Sequence, residues 1–394
     1  MKSLDRYRGC LLGGAAGDAL GYAVEFLDAD SIFRRYGGEG ITEYSLVNGT
    51  AYISDDTQMT LFTANGLLLG TTRDRTRGTV GGCLDGIASC CEEWLRTQTE
   101  TYPVRERYPC SWLTNVPELF ARRAPGNTCL SAIASFRRGR RGTIGEPINN
   151  SKGCGGIMRV APIGLYFDGE RNTSDEVARL GAEAAALTHG HELGYIPAAA
   201  LVHIVHTVSH SEDPLLVDAV WNAMSAVRRL FPGAEHLDEL EALVRMAVEL
   251  SQSDLGDPDA IRMLGEGWVA EETLAIAVYC ALKYENDFDR ALIAAVNHGG
   301  DSDSTGAVTG NILGARLGAR AIPEKYLARL ELRDVISEIA DDLFINFDDR
   351  RTEAGLQVLG NISHRMQVIL LTHHDHLVPL ARQVLGDGLN VIEL

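Results

Sequence analysis

The sequence predicts an all-α protein, a compact helical bundle followed by a small C-terminal helix-strand extension. Three observations predict it. From about residue 176 onward apolar residues recur at the helical period of 3.6. Strand signals are sparse. Glycines fall on two ridges of four-residue spacing, Gly9, Gly13, Gly17, Gly21 and Gly306, Gly310, Gly314, Gly318. Glycine costs about 1 kcal/mol relative to alanine at each helix-interior position, so the ridges predict two helices that recover this by close backbone approach. Asp18, Asn311 and Arg316 interrupt the apolar residues there, which reads as two buried helices of a soluble bundle rather than as membrane spans.

Taken in order, the first ridge makes the first helix, and the apolar run Ala51-Tyr52-Ile53 leads into a helix at 58–69. Between 97 and 155 lie Pro103, Pro109, Pro117, Pro125 and Pro147 with many glycines, which reads as long loops over a helical body. Ala- and Leu-rich segments at 176–188, 194–210, 215–230, 236–252, 270–285, 287–297 and 304–319, parted by Gly, Asp or Pro, read as helices. The body is assigned to residues 1–345 and the extension to 346–394.

Among 394 residues, 36 Lys and Arg face 54 Asp and Glu, a net charge of −18. Nucleic acids and anionic membranes are bound chiefly through basic faces, so this balance argues against both partners. No apolar run approaches the ~18 residues needed to span a bilayer. Eight cysteines without a CxxC pair read as scattered thiols in a reducing cytoplasm. Lys2, Arg6 and Arg8 before Cys10-Leu11-Leu12 imitate a signal peptide, but Asp18 breaks the apolar stretch, so a cytoplasmic protein is expected.

Acidic clusters flank the ridges. Glu25 follows the first; Ser54-Asp55-Asp56-Thr57 ends the Ala51–Ile53 run; Gly299-Gly300-Asp301-Ser302-Asp303-Ser304-Thr305 leads into the second. Hard divalent cations take oxygen ligands, and neighbouring carboxylates repel unless a cation neutralises them, so two short acidic clusters with hydroxyls suit a dinuclear site. Asp301 and Asp303 are two apart and can meet one ion only from a turn or a first helical turn. The competing reading is capping: Asp303 or Ser304 for the helix at 304–319, Asp55 to Thr57 for the one at 58–69. A third cluster, Asn149 to Arg159, has glycines whose amides could cradle a phosphate or ribose. No GxxxxGK[ST] occurs, which removes the P-loop reading. His189 and His191 stand just past a helix, where histidine serves more often as a dipole partner, and neither is assigned to a metal.

With these residues in view, the chain resembles the ADP-ribosylglycohydrolases, the group that includes the dinitrogenase reductase-activating glycohydrolases. The resemblance covers roughly residues 5–340. It rests on Arg8-Gly9-Cys10-Leu11-Leu12-Gly13 through Gly17-Asp18-Ala19-Leu20-Gly21, then Ser54-Asp55-Asp56-Thr57-Gln58-Met59, Ala124-Pro125-Gly126-Asn127-Thr128, Gly155-Gly156-Ile157-Met158-Arg159, Thr188-His189 and Gly300 to Gly306. It implies an all-helical bundle around two Mg²⁺ or Mn²⁺ ions. It further implies Ser54, Asp55, Asp56, Asp301, Asp303 and Ser304 as ligands and Glu25 beside the metals. Asp55, Asp56, Asp303 and Glu25 would carry the catalysis, and Gly155, Gly156, Met158 and His189 would lie along the ADP-ribose. The implied reaction is hydrolysis of the bond between ADP-ribose and a modified protein side chain, arginine being expected, so that the protein partner is the ADP-ribosylated substrate. The alternatives are an inactive ADP-ribose-binding homologue, a hydrolase of another ADP-ribosyl conjugate, and a metal phosphohydrolase; the retained ligands disfavour the first, and the last lacks a clear general base.

The tail departs from that pattern. Asp341 to Arg351, followed by Gln367-Val368-Ile369-Leu370-Leu371-Thr372-His373-His374, resembles the end of an ABC- or SMC-type ATPase head, with a strand expected at Gln367 to Leu371. Without a Walker A sequence nothing would hold the phosphates, so the tail is expected to be a fused accessory fragment, a docking element for a protein partner or a chance likeness rather than an ATPase. His373, His374 and His376 would alternate across a strand and so are not expected to share one ion. Arg137-Arg138-Gly139-Arg140-Arg141 reads as a solvated loop.

Overall fold

The computed structural model describes residues 3–78, 81–104, 109–167, 172–345, 356–357, 359–360, 363, 367–370 and 377–392. The chain folds as α1 (Leu4–Gly21), α2 (Ala29–Tyr36), α3 (Asp55–Arg77), α4 (Gly82–Thr99), α5 (Asn127–Phe136), α6 (Ala161–Tyr166), α7 (Ser174–Ala186) and α8 (Glu192–His210). There follow α9 (Leu216–Leu230), α10 (Leu237–Ser251), α11 (Asp257–Leu264), α12 (Ala270–Lys283), α13 (Phe288–Val296), α14 (Ser302–Leu317), α15 (Glu324–Leu327), α16 (Arg333–Ile345) and α17 (Leu377–Leu385). Among the described residues extended pairing is limited to isolated bridges at Val47–Thr50, Ala51–Leu330 and Gly153–Val269, so the fold is all-α. No helix of the described residues is long and apolar enough to cross a membrane.

The glycine ridges meet each other. α1 and α14 run antiparallel, and a Cβ on Gly9, Gly13 or Gly17 would stand 2.3, 2.5 or 2.0 Å from the carbonyl oxygen of Gly314, Gly310 or Gly306. At the end of the seam a Cβ on Gly21 would stand 2.1 Å from the Ser302 carbonyl, which places the C-terminus of α1 against the N-terminus of α14. Asn311 occupies the polar gap in the seam by donating to the Cys10 carbonyl at 2.8 Å. A second glycine seam, unremarked in the sequence, joins α3 to α4: a Cβ on Gly86 would lie 2.2 Å from the Gly66 carbonyl and one on Gly70 would lie 2.3 Å from that of Gly82. Across the bundle α8 buries every face, with Ile196, Leu201, Val202 and Val205 fully enclosed. Each such aliphatic side chain contributes about 1.5–3 kcal/mol on leaving water.

Three sequence expectations change in detail. The helix expected at 58–69 begins at Asp55 and runs on to Arg77, where Gly78 closes it at φ +66°; Gly70 does not end it, because that position lies in the seam with α4. The stretch 97–155 is not wholly loop, since α5 lies inside it with Cys129, Ala132, Ile133 and Phe136 buried. That i, i+3, i+4, i+7 stripe is overshadowed in sequence by the surrounding prolines. In the tail, 367–370 form no strand, and Ile369 and Leu370 are exposed. Among the described residues no segment pairs with it, and a short apolar run without a partner strand builds no ladder. Leu371, His373, His374, His376 and the 346–351 part of the ATPase-like stretch lie outside the described residues; its beginning, Asp341 to Ile345, is the last turn of α16, with Leu343 buried in the body.

Candidate metal-binding active site

Two helix N-termini and one helix C-terminus converge on a single acidic pole. The α1–α14 seam brings Glu25, just beyond α1, to Asp301 and Asp303, and one carboxylate oxygen of each lies within 4.8 Å of the others. The N-terminus of α3 is held there by Asp18, near the end of α1, whose carboxylate accepts from the Ser54 amide at 2.9 Å and the Thr57 amide at 3.1 Å. The Thr57 hydroxyl donates to the same carboxylate. Ser304 Oγ then donates to Asp56 Oδ2 at 2.8 Å and ties α14 to α3. Asp55 accepts from the Gly126 amide at 3.4 Å.

Capping and clustering turn out to be compatible. The caps are Ser54, which accepts from the Asp56 amide at 3.1 Å, and Asp301, which accepts from the Ser304 amide at 3.3 Å. Neither Asp303 nor the Asp55–Thr57 run caps a helix. They stand in first turns instead, as do both members of the Asp301/Asp303 pair at cap and N2, the placement that two-residue spacing requires for a shared ion.

Six carboxylates, Asp18, Glu25, Asp55, Asp56, Asp301 and Asp303, are thus 0–7% exposed. Among the described residues none forms an ion pair with Lys or Arg. Burial, and after it the neighbouring Asp303, pushes Asp18 up to about 7 and Glu25 up to about 10. Asp55, Asp56 and Asp301 rise well above the carboxylate range for the same two reasons, and Asp303 rises by burial. Glu25 Oε2 is buried without a hydrogen-bond partner. An orphaned acceptor beside carboxylates that cannot all ionise together is the donor set of a hard divalent cation, all oxygen and net negative. The residues present therefore fit Mg²⁺ or Mn²⁺, with Glu25, Asp301 and Asp303 nearest one another and Asp55, Asp56, Ser54 and Ser304 alongside.

The glycine-rich loop abuts this pole. Cys154 Sγ donates to Asp301 Oδ2 at 2.7 Å. His189 lies against the loop backbone, since a Cβ on Gly155 would stand 3.1 Å from His189 Cε1 and one on Gly156 would stand 3.4 Å from Nδ1. Its Nδ1 shares a hydrogen with Thr188 Oγ1 at 2.9 Å, and burial lowers its pKa to about 3, so it is neutral and no charged dipole partner. Met158 is buried and its carbonyl accepts from Thr60 at 3.2 Å. Arg159 is wholly buried and donates to the Ala184 carbonyl at 3.0 Å and Thr188 Oγ1 at 2.7 Å, a packing role for the last residue of the motif. The cradle is narrower than its glycines suggest, because the Cys154 amide donates to the Trp268 carbonyl and those of Ile157 and Met158 to the Cys154 carbonyl.

Sequence reasoning missed Asp18 as an organiser; the only signal was an acid on the glycine ridge of a buried helix. It also passed over Cys154, Phe26 and the 265–269 segment. That segment reaches the pole through the Asp301 amide, which donates to the Glu266 carbonyl at 2.8 Å.

A family model described as ADP-ribosylglycohydrolase matches residues 1–353. The chain is 26% identical over 374 residues to ADP-ribosylhydrolase ARH3 of Mus musculus, covering 88% of this chain and 93% of that protein. It is 25% identical over 348 residues to ADP-ribosylarginine hydrolase Tri1 of Pseudomonas putida (strain GB-1), covering 87% and 79%. A solved structure of an ADP-ribosylglycohydrolase-related protein complex aligns with a TM-score of 0.55 over 86% of this chain and 97% of that one, at 23% identity, a likeness of fold.

Proposed function

The chain belongs to the ADP-ribosylglycohydrolase family, and on that premise we propose that it releases ADP-ribose from arginine side chains of mono-ADP-ribosylated proteins, using two Mg²⁺ or Mn²⁺ ions. The observation that carries the reading is the pole itself: six buried carboxylates gathered from three remote segments, with Glu25 Oε2 unpartnered among them. A protein stabilised only by packing would not retain such repulsion, whereas a dimetal centre requires it. Ser54, Asp55, Asp56, Asp301, Asp303 and Ser304 would hold the ions. When bound, the ions neutralise these carboxylates and act as Lewis acids on the oxygens they touch.

In the reaction, water attacks the anomeric carbon as the bond to the guanidine nitrogen breaks; the electron pair goes to that nitrogen and the proton lost by water ends on the departing guanidine. Asp55, Asp56 and Asp303 would orient the water and take its proton. Glu25 is the most exposed of the six, at 7%, and would deliver the proton to the leaving group. Gly155, Gly156, Met158 and His189 form the wall along which the ADP-ribose would lie, with neutral His189 presenting a hydrogen-bonding edge rather than a charge. Residues 1–345 make up the catalytic body on this reading, and 346–394 an accessory extension. Chromatography of the products of ADP-ribosyl-arginine incubated with the protein and Mg²⁺ tests it. Free ADP-ribose is expected, and a failure to release it from any ADP-ribosyl conjugate would overturn the reading.

A further inference from the structure

Two large aromatic side chains stand in solvent at the rim of the acidic pole. Phe26, next to Glu25, is 72% exposed, and Trp268 is 40% exposed; their rings stack on each other with centroids 6.2 Å apart and planes 24° from parallel. Both are anchored to candidate ligands. Phe26 follows Glu25 directly in the chain. Trp268 follows Gly267, where a Cβ would stand 3.5 Å from Asp301 Cβ, and its own carbonyl accepts from the Cys154 amide at 3.2 Å. Among the described residues every other aromatic ring except Tyr102 is at least partly buried, and a pair of adjoining exposed rings beside a polar cleft points to an interaction site.

We infer that Phe26 and Trp268 form the acceptor subsite, a clamp that grips the cationic guanidinium of the ADP-ribosylated arginine and so selects arginine over neutral acceptors. The inference rests on the glycohydrolase reading above. Charge complementarity supports it: the carboxylates of the pole have no Lys or Arg partner among the described residues, and aromatic faces beside such an acidic pole attract a planar cation. A glycosylated guanidinium keeps its charge and its plane, and its size matches a ring face. Serine offers neither.

The test compares Trp268→Ala, Trp268→Phe, Phe26→Ala and wild type, each with Mg²⁺, in steady-state hydrolysis of ADP-ribosyl-arginine and in inhibition of that reaction by free ADP-ribose. The alanine variants are expected to raise KM about 10-fold at Trp268 and about 3-fold at Phe26, mostly without loss of kcat. Trp268→Phe should recover most of the loss, and the inhibition constant of ADP-ribose should stay within about twofold throughout. If ADP-ribose affinity falls in step with substrate affinity, the pair grips the nucleotide and the inference is overturned. Unchanged KM in both alanine variants, with circular dichroism like wild type, overturns it equally. A wild-type protein inert toward every conjugate would instead mark the failure of the underlying reading.

Discussion

Asp18 and Asp303 lie in one buried pole yet are held in opposite ways. Asp18 accepts two backbone amides and a hydroxyl from the start of α3, whereas Asp303 accepts one backbone amide, that of Ser304 at 3.1 Å, and stands among the other acids. Asp18→Ala would strand those donors, and hydrogen bonds to a charged group are worth about 1.5–3 kcal/mol each. A loss of about 3 kcal/mol in urea unfolding is expected, with activity falling because α3 shifts. Asp303→Ala removes repulsion instead: metal-free stability should hold or rise, helical circular dichroism should be retained, and turnover should drop by ~10²-fold or more. Loss of helicity in Asp303→Ala would show a structural anchor in place of a ligand. The contrast also marks what could be read from sequence at this scale. Ser54 to Asp56 and Asp301 to Ser304 are dense local clusters and stand out by composition. Asp18 acts across the fold on a segment beyond Ile53, and Phe26 meets Trp268 from the far side of the sequence; neither contact leaves a local trace.

At the scale of the element, the α1–α14 seam positions the chemistry. That both helices need close backbone approach was legible, because glycine repeated at i, i+4 inside a helix costs stability unless another backbone packs directly against it; that the two ridges meet each other, in the register Gly9 to Gly314 through Gly21 to Ser302, was not. Gly310→Ala would set a Cβ 2.0 Å from the Gly13 carbonyl, backbone that cannot yield, so a loss of about 3 kcal/mol or more is expected. Gly256→Ala, at an N-cap with φ −65° and nothing within 4 Å of the added carbon, should cost no more than about 1 kcal/mol. Equal thermal midpoints for the two variants would contradict close packing at the seam. The second seam, α3 on α4, and helix α5 were not legible: Gly66, Gly70, Gly82 and Gly86 are only two to a helix, in segments of mixed composition, and prolines surround α5.

For the whole molecule, the acidic pole couples stability to pH and to cations. Carboxyls raised in the folded state, Asp18 to about 7 and Glu25 to about 10, bind protons that the unfolded chain has released. Their contribution is present below the ordinary carboxylate range and is lost as pH rises through the raised values. The buried histidines His189, His203 and His298, lowered to about 3, 4 and 4, act in the opposite sense but only below about 6.5. Between pH 7 and 8, in EDTA, the thermal midpoint should therefore fall as pH rises, and saturating Mg²⁺ should abolish that slope. An EDTA midpoint that climbs with pH would contradict the charge assignment. The tail is expected to be independent of this coupling, since every candidate ligand lies between Glu25 and Ser304. Truncation after Ile345 should keep hydrolysis within a few fold, and Ile369→Asp, at a site 73% exposed, should leave solubility unchanged; a folded but inactive truncation would assign the tail to the active site.

Whether the converging segments build a dinuclear cation site is decided by titrating the metal-stripped protein with Mn²⁺ while following free Mn²⁺ by electron paramagnetic resonance. Wild type is predicted to take up about two equivalents per chain, with Asp303→Ala losing at least one. Uptake of fewer than one equivalent by the folded wild type at millimolar Mn²⁺, or equal uptake by Asp303→Ala, would contradict it.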